Sequence, residues 1–269
     1  MQSQMVDGIN LVYHHRDADT AETIKKVIST VLQLNHQVWG LSPPPSCQIY
    51  VMTSWMSFTF QSAPWLWRIL LAITFPLWAW RARRVWPYAG GLTQRYGRRV
   101  AIGIKTPRLL ETSNKSFGSQ MYVPVPDPLL RIQHFTCHEL THACTANLRL
   151  PAWLNEGLAM FTVDQFMGNP TIREDTLEFL RKHAPLVRPP GYARLSRMNP
   201  DVVLYYTLLG YWLVRYLEEL HPGSLQHWLS QNIKTKAFEG EIASCLGIEV
   251  PDVWSAIPAM LLGRFYTVK

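Results

Sequence analysis

Cysteines and charged residues are both scarce in this 269-residue sequence. None of its four cysteines, Cys47, Cys137, Cys144 and Cys245, forms a C-x-x-C pair or has zinc-finger spacing, which argues against a finger-type metal site. The first ten residues are polar and lack the apolar stretch of a signal peptide, so we expect a reducing, cytoplasmic setting. In that setting we expect Cys137 and Cys144 to be buried free thiols.

Charged residues make up only 17% of the chain and hydrophobic residues 48%, which excludes a disordered chain and indicates one folded domain over residues 1–269, with an insertion. The net charge is +7, and the basic residues cluster mainly at 81–84 and 95–108. Zinc-knuckle, helix-turn-helix and RNP-like motifs are missing, so we expect no nucleic-acid partner. Basic residues beside a tryptophan-rich apolar run favour an anionic membrane surface instead.

The sequence His138-Glu139-Leu-Thr-His142 carries the clearest chemical pattern. In a helix, positions four apart lie on one face, so His138 and His142 can clamp one metal ion. Glu139 points to the side of the ion where it can act as the general base toward water. A catalytic zinc site needs a third protein ligand, and Glu156 is the candidate, in a second helix beginning at Pro151. The alternative has both histidines hydrogen-bonded in the core and Glu139 on a solvated face.

The motif and the sequence that follows it, Leu150-Pro-Ala-Trp-Leu-Asn-Glu156-Gly-Leu-Ala, resemble the gluzincin metallopeptidases, in particular the peptidase MA-like group. The resemblance implies one zinc ion per chain, held by His138, His142 and Glu156, with Glu139 as the base and a peptide or protein as the substrate. One position departs from the pattern. Thermolysin-like relatives have an Asp four residues after the ligand Glu, where this chain has Met160, and Asp164 is only a weak substitute for orienting a histidine.

The resemblance also implies a tyrosine, from a downstream helix, that stabilises the oxyanion of the reaction. Tyr206 is the first choice and Tyr205 the second. Both lie in an apolar helix predicted over 200–220, which should be buried centrally. The alternative for Tyr206 is a core tyrosine with an ordinary hydrogen bond.

The predicted fold class is α+β: a small mixed sheet with a zincin-type active-site helix, followed by a mainly helical C-terminal half. Alternating apolar residues predict strands at 8–13, 47–52 and 99–104, with a possible fourth at 120–124. The first two strands flank an amphipathic helix at 17–39, and the two helices of the site are predicted at 129–148 and 151–166.

The insertion, at about 58–88, is rich in tryptophan and apolar. From Pro64 to Trp80 its only charged residue is Arg68, and tryptophans stand near both ends, as in membrane-contacting segments. We expect an interfacial or re-entrant membrane anchor within 62–86. The alternatives are a transmembrane helix and a helix packed against the protein or a partner.

Together these observations predict zinc-dependent hydrolysis of peptide bonds by a cytoplasmic enzyme, peripheral or monotopic at a membrane. The rival hypothesis is a membrane-associated scaffold that keeps the peptidase fold and cleaves nothing. Intramembrane proteolysis fits poorly, because the motif helix carries Arg131, Gln133 and Asn147, which would be costly in lipid.

Overall fold

The computed structural model describes residues 1–77, 79, 83, 86, 89–113, 118–183, 188–195, 197–231, 233 and 235–266. Trp78, Trp80 and most of the basic stretch 81–84 lie outside these residues, as does the centre of the polar loop at 111–118. The described chain divides into two compact units. The first unit comprises 1–34, 42–119 and 124–147, and the second comprises 35–41, 120–123 and 148–269.

Five strands belong to the first unit: β1 Gln2–Val6, β2 Ile9–Tyr13, β3 Cys47–Met52, β4 Gly91–Tyr96 and β5 Arg99–Lys105. The helices up to the motif are α1 Ala18–Trp39, α2 Trp55–Ser62, α3 Trp65–Ile73, α4 Pro107–Ser113, α5 Gly118–Met121 and α6 Pro128–Thr145. The remaining helices are α7 Ala152–Met167, α8 Thr176–His183, α9 Tyr192–Leu195, α10 Pro200–Leu220, α11 Ser224–Ser230, α12 Thr235–Leu246 and α13 Val253–Phe265. Short 3₁₀ turns at His15–Asp17 and Val250–Asp252 precede α1 and α13.

The sheet has the strand order β1-β2-β3-β5-β4. Its three inner strands are parallel, and the edge strands β1 and β4 each run antiparallel to their neighbour. The parallel pairing of β2 and β3 across α1 is the usual outcome of a strand-helix-strand unit. The α+β class with a small mixed sheet and a helical C-terminal half is therefore confirmed.

The predicted strands at 8–13, 47–52 and 99–104 correspond to β2, β3 and β5. The strand predicted at 120–124 is wrong: Tyr122 forms a single bridge to Ile172, outside the sheet. Prolines at 124, 126 and 128 lack the N–H that a longer ladder needs. Both edge strands, β1 and β4, were missed.

Alternation along the strands gives the sheet two different faces. On one face Tyr50, Met52, Phe58 and Tyr96 form an apolar cluster that includes α2. On the opposite face α6 packs on β4 and β5. The sheet therefore presents the edge strand β4 to the motif helix.

The second unit is built around α10, whose pairing with α7 is its most extensive helix contact. The two backbones touch where Gly157 of α7 faces Gly210 of α10, and a Cβ on either glycine would collide with the other helix. From Leu204 to Val214 every residue of α10 is buried, which confirms its prediction as a central core helix.

The insertion contains two of the described helices, and they differ in burial. Helix α2 contributes Phe58 to the sheet cluster, whereas no residue of α3 is buried. Trp65 of α3 is 68% exposed and Ile73 is 74% exposed. No single described helix is both long and apolar enough to cross a membrane; one bent pair, Ala237–Leu246 with Val250–Phe265, meets the length and composition criteria together, at an angle of 95°.

Candidate metal centre

Helix α6 holds the two histidines of the motif in a fixed geometry. Asp127 caps its first turn by accepting a hydrogen bond of 2.8 Å from Leu129 N, and Pro128 occupies the first helical position, where no N–H is needed. The Nε2 atoms of His138 and His142 are 3.0 Å apart, and the two rings are perpendicular. Two nitrogens bound tetrahedrally to one zinc ion would be about 3.3 Å apart, so this spacing suits a shared ion.

Glu139, between the histidines in sequence, is only 6% exposed. Its Oε2 accepts a hydrogen bond of 2.7 Å from Thr93 Oγ1 on β4, and the same hydroxyl lies 3.2 Å from the Glu139 carbonyl. The alternative that placed Glu139 on a solvated face is therefore wrong. A carboxylate whose orientation is fixed by a hydroxyl is suited to receive a proton from one direction.

Two adjacent glycines allow β4 to approach α6 closely. A Cβ on Gly91 would lie 2.5 Å from Glu139 Cγ, and a Cβ on Gly90 would collide with the ring of Phe135. Thr93 and Gly91 were missed as site residues. The Gly90-Gly91 pair was the available signal, because glycine inside a strand pattern indicates a close approach of the backbone.

Glu156 lies in the second turn of α7, as expected. Pro151 is the N-cap rather than the first helical residue, so this helix begins one residue later than predicted, at Ala152. Glu156 is followed by Gly157, whose close backbone contact with Gly210 fixes the distance between this turn and α10. Its Oε1 accepts a hydrogen bond of 2.8 Å from the hydroxyl of Tyr192, which was missed as a site residue.

One ligand atom each from His138, His142 and Glu156 lies within 4.8 Å of the other two, so the three residues could hold one metal ion. Two imidazole nitrogens and one carboxylate oxygen form a donor set known from catalytic zinc sites. The cysteines of α6 are not part of it. Cys137 and Cys144 are buried and free, as expected, and burial raises the pKa of both thiols, so they stay protonated.

A third histidine, His134, lies one turn before His138 on α6. It is fully buried, and burial, with a smaller effect from His138, lowers its pKa to about 3. His134 is therefore neutral at physiological pH, and no positive charge from it opposes a cation nearby.

The candidate tyrosines Tyr205 and Tyr206 are both buried in α10, with ring centroids 5.3 Å apart. Burial raises the pKa of Tyr206, and the charge of Arg194 partly offsets this shift. Burial and the neighbouring Tyr206 raise the pKa of Tyr205 to about 12. Both hydroxyls therefore stay protonated at neutral pH and can only donate or accept hydrogen bonds there.

Asp164, the weak candidate for orienting a ligand histidine, has other partners. One carboxylate oxygen accepts from the backbone N and the hydroxyl of Thr171, and the other accepts from the Tyr211 hydroxyl, all within 2.7 Å. Its interactions tie α7 to the following turn and to α10. Met160, at the position of the family's Asp, is fully buried in the apolar core.

No protein-family model, no curated protein and no solved structure matches the chain. The resemblance to gluzincins therefore depends on the residues of the two motif helices.

Proposed function

We propose that the protein is a zinc-dependent peptidase of the gluzincin type. The observation that carries the proposal is the convergence of ligand atoms from His138, His142 and Glu156 within 4.8 Å. Zinc, when bound, would act as a Lewis acid on the peptide carbonyl and activate the attacking water. Glu139 takes the proton from that water and passes it to the leaving nitrogen. Thr93, through its bond to Oε2, keeps the Glu139 carboxylate oriented for both transfers.

The edge strand β4 supports a site for the substrate backbone. Gly91 and Thr93 of β4 contact Glu139, so this strand lies beside the proposed base. Among the described strands β4 pairs with β5 alone, and its outer edge is the place where an extended peptide could add as a further strand. We propose that substrate binds there, so that the scissile bond lies near Glu139.

The proposal is tested by metal content and by cleavage of a random peptide library read by mass spectrometry. Wild type is expected to hold about one zinc per chain and to cleave peptides. Glu156→Ala should lose most of the metal, because two ligands remain where a catalytic site has three. Glu139→Gln should keep the metal and lose cleavage. A folded wild type that takes up no zinc on titration would refute the proposal, and a zinc-binding wild type as inactive as Glu139→Gln would favour the scaffold.

We further propose that α3 lies on an anionic membrane surface. No residue of this helix is buried, and Trp65, Ile69 and Ile73 are each more than half exposed. Arg68, its one charged residue, donates to the carbonyls of Ala63, at 2.8 Å, and Gln61, at 3.1 Å, near the end of α2. The helix thus keeps an apolar exterior, and tryptophan is a residue that partitions to the membrane interface.

The membrane proposal is tested by co-sedimentation with phosphatidylserine-containing and neutral vesicles. Point substitutions are preferable to deleting 62–86, because Ser62 and Ala63 are fully buried and a deletion would disturb the sheet cluster. Trp65→Ser with Ile73→Ser should abolish sedimentation and leave folding unchanged. Leu220→Ser, an exposed apolar residue of α10, is the matched control and should sediment as wild type does. Equal sedimentation of the double variant and wild type would exclude α3 as the anchor.

A further inference from the structure

Tyr192 links two residues of the second motif helix through its hydroxyl. The hydroxyl oxygen lies 2.8 Å from Glu156 Oε1 and 2.8 Å from Asn155 Nδ2. The side chain is 43% exposed, so this bond does not serve to satisfy a buried tyrosine. A contact between an exposed tyrosine and a carboxylate that could bind metal calls for a functional explanation.

The direction of the two hydrogen bonds is determined by the groups involved. An amide nitrogen can only donate, so Asn155 Nδ2 donates to the tyrosine oxygen. The hydroxyl has a single proton, which is then directed to Glu156 Oε1. Because the oxygen already accepts a bond from Asn155, its proton is a better donor to the carboxylate. The result is a polarised chain from Asn155 through Tyr192 to Glu156.

The segment that carries Tyr192 is attached on both sides. Before it, Arg188 forms an ion pair of 2.6 Å with Glu239, and Glu239 also accepts from Trp254 Nε1 at 2.9 Å. After it, Leu195 is buried in the core of the second unit. The short helix α9 therefore presents the tyrosine from a fixed base rather than from a free loop.

A carboxylate that binds a metal through one oxygen is oriented by what holds the other oxygen. Partners of this kind typically contribute 10- to 100-fold to metal affinity. The bond from Tyr192 to Oε1 therefore fixes how the Glu156 carboxylate is oriented toward a metal ion. We propose that Tyr192 is the positioning residue of the third metal ligand, and that Asn155 supports it; this rests on the proposed zinc site.

The experiment compares zinc affinities of metal-free full-length variants by competition with a fluorescent chelator. Tyr192→Phe should raise the zinc Kd by about 10- to 100-fold, because the ring stays and only the bond to Oε1 is lost. Asn155→Leu should raise it less, since Tyr192 can still donate. Tyr266→Phe is the matched control: it removes a tyrosine–glutamate bond of 2.7 Å, to Glu178, that belongs to no proposed metal site. Its Kd should equal that of wild type.

The visible spectrum of Co²⁺-substituted protein gives a second readout, independent of turnover. Its ligand-field bands should change in Tyr192→Phe and stay unchanged in Tyr266→Phe. A wild type that binds no zinc would overturn the metal site and this inference together. A wild type that binds zinc, beside Tyr192→Phe with the same Kd and the same Co²⁺ spectrum, would overturn the role of Tyr192 alone.

Discussion

Helices α3 and α10 are both apolar and rich in aromatic residues, yet they differ in how far their side chains are buried. Helix α10 buries twelve residues, among them Tyr211 and Trp212, whereas α3 buries none. Hydropathy alone does not separate them. What differs is how closely a partner approaches. Helix α10 has Gly210, where the backbone of Trp153 of α7 comes close enough to exclude a side chain. Helix α3 contacts the sheet cluster through Trp67, whose ring centroid lies 5.7 Å from that of Tyr96, and through the partly buried Leu71. A long apolar run thus predicts that a helix packs against another apolar surface. A small residue within the run, such as Gly210, indicates that this surface is another helix of the protein.

The contrast predicts a large difference in stability between matched truncations. Leu213 of α10 is 1% exposed, so Leu213→Ala should lower the free energy of unfolding by about 2–5 kcal/mol through lost burial and a cavity. Ile73→Ala in α3 should change it by less than about 0.5 kcal/mol. Urea unfolding followed by tryptophan fluorescence measures both. A comparable loss from Ile73→Ala would mean that α3 is covered by the protein itself.

A second prediction concerns the glycine contact between α10 and α7. A Cβ at residue 210 would meet the backbone carbonyl of Trp153, so Gly210→Ala should destabilise the protein by about 1–3 kcal/mol. It should also weaken zinc binding, because Trp153 lies one turn before Glu156. Gly240→Ala is the control: its Cβ meets nothing within 4 Å, and alanine should add about 0.5–1 kcal/mol to the stability of α12. Similar unfolding curves for both variants would contradict the close packing.

The sequence was sufficient for those parts of the site that depend on local spacing. His138 and His142 share a face because they are four residues apart, and Glu156 follows from a helix start after Pro151. Thr93 and Tyr192 could not be found this way. Thr93 is 46 residues from Glu139 in the sequence and reaches it through strand pairing. Tyr192 is 36 residues from Glu156 and reaches it through a proline-rich connection that has no periodic signal.

The same distinction explains the errors in the fold. The inner strands β3 and β5 are almost fully buried and form apolar runs, whereas the edge strands β1 and β4 include exposed polar residues such as Gln2, Ser3 and Arg95. Edge strands are formed by pairing with a neighbour rather than by their own pattern. The wrongly predicted strand at 120–124 shows the reverse case: it has the apolar residues of a strand, but among the described residues it forms only a single bridge and no ladder.

The smallest expected effect distinguishes the two adjacent tyrosines of α10. The Tyr205 hydroxyl is buried and finds no hydrogen-bond partner among the described residues, so Tyr205→Phe should leave the free energy of unfolding within about 1 kcal/mol of wild type, on the stabilising side. It should also leave peptide cleavage unchanged. Tyr206→Phe should lower turnover at least about tenfold with zinc retained, if its hydroxyl donates to the oxyanion. Turnover of both variants, measured at equal zinc content, distinguishes the two tyrosines. Equal rates would remove Tyr206 from the mechanism, and a loss confined to Tyr205→Phe would assign oxyanion stabilisation to Tyr205.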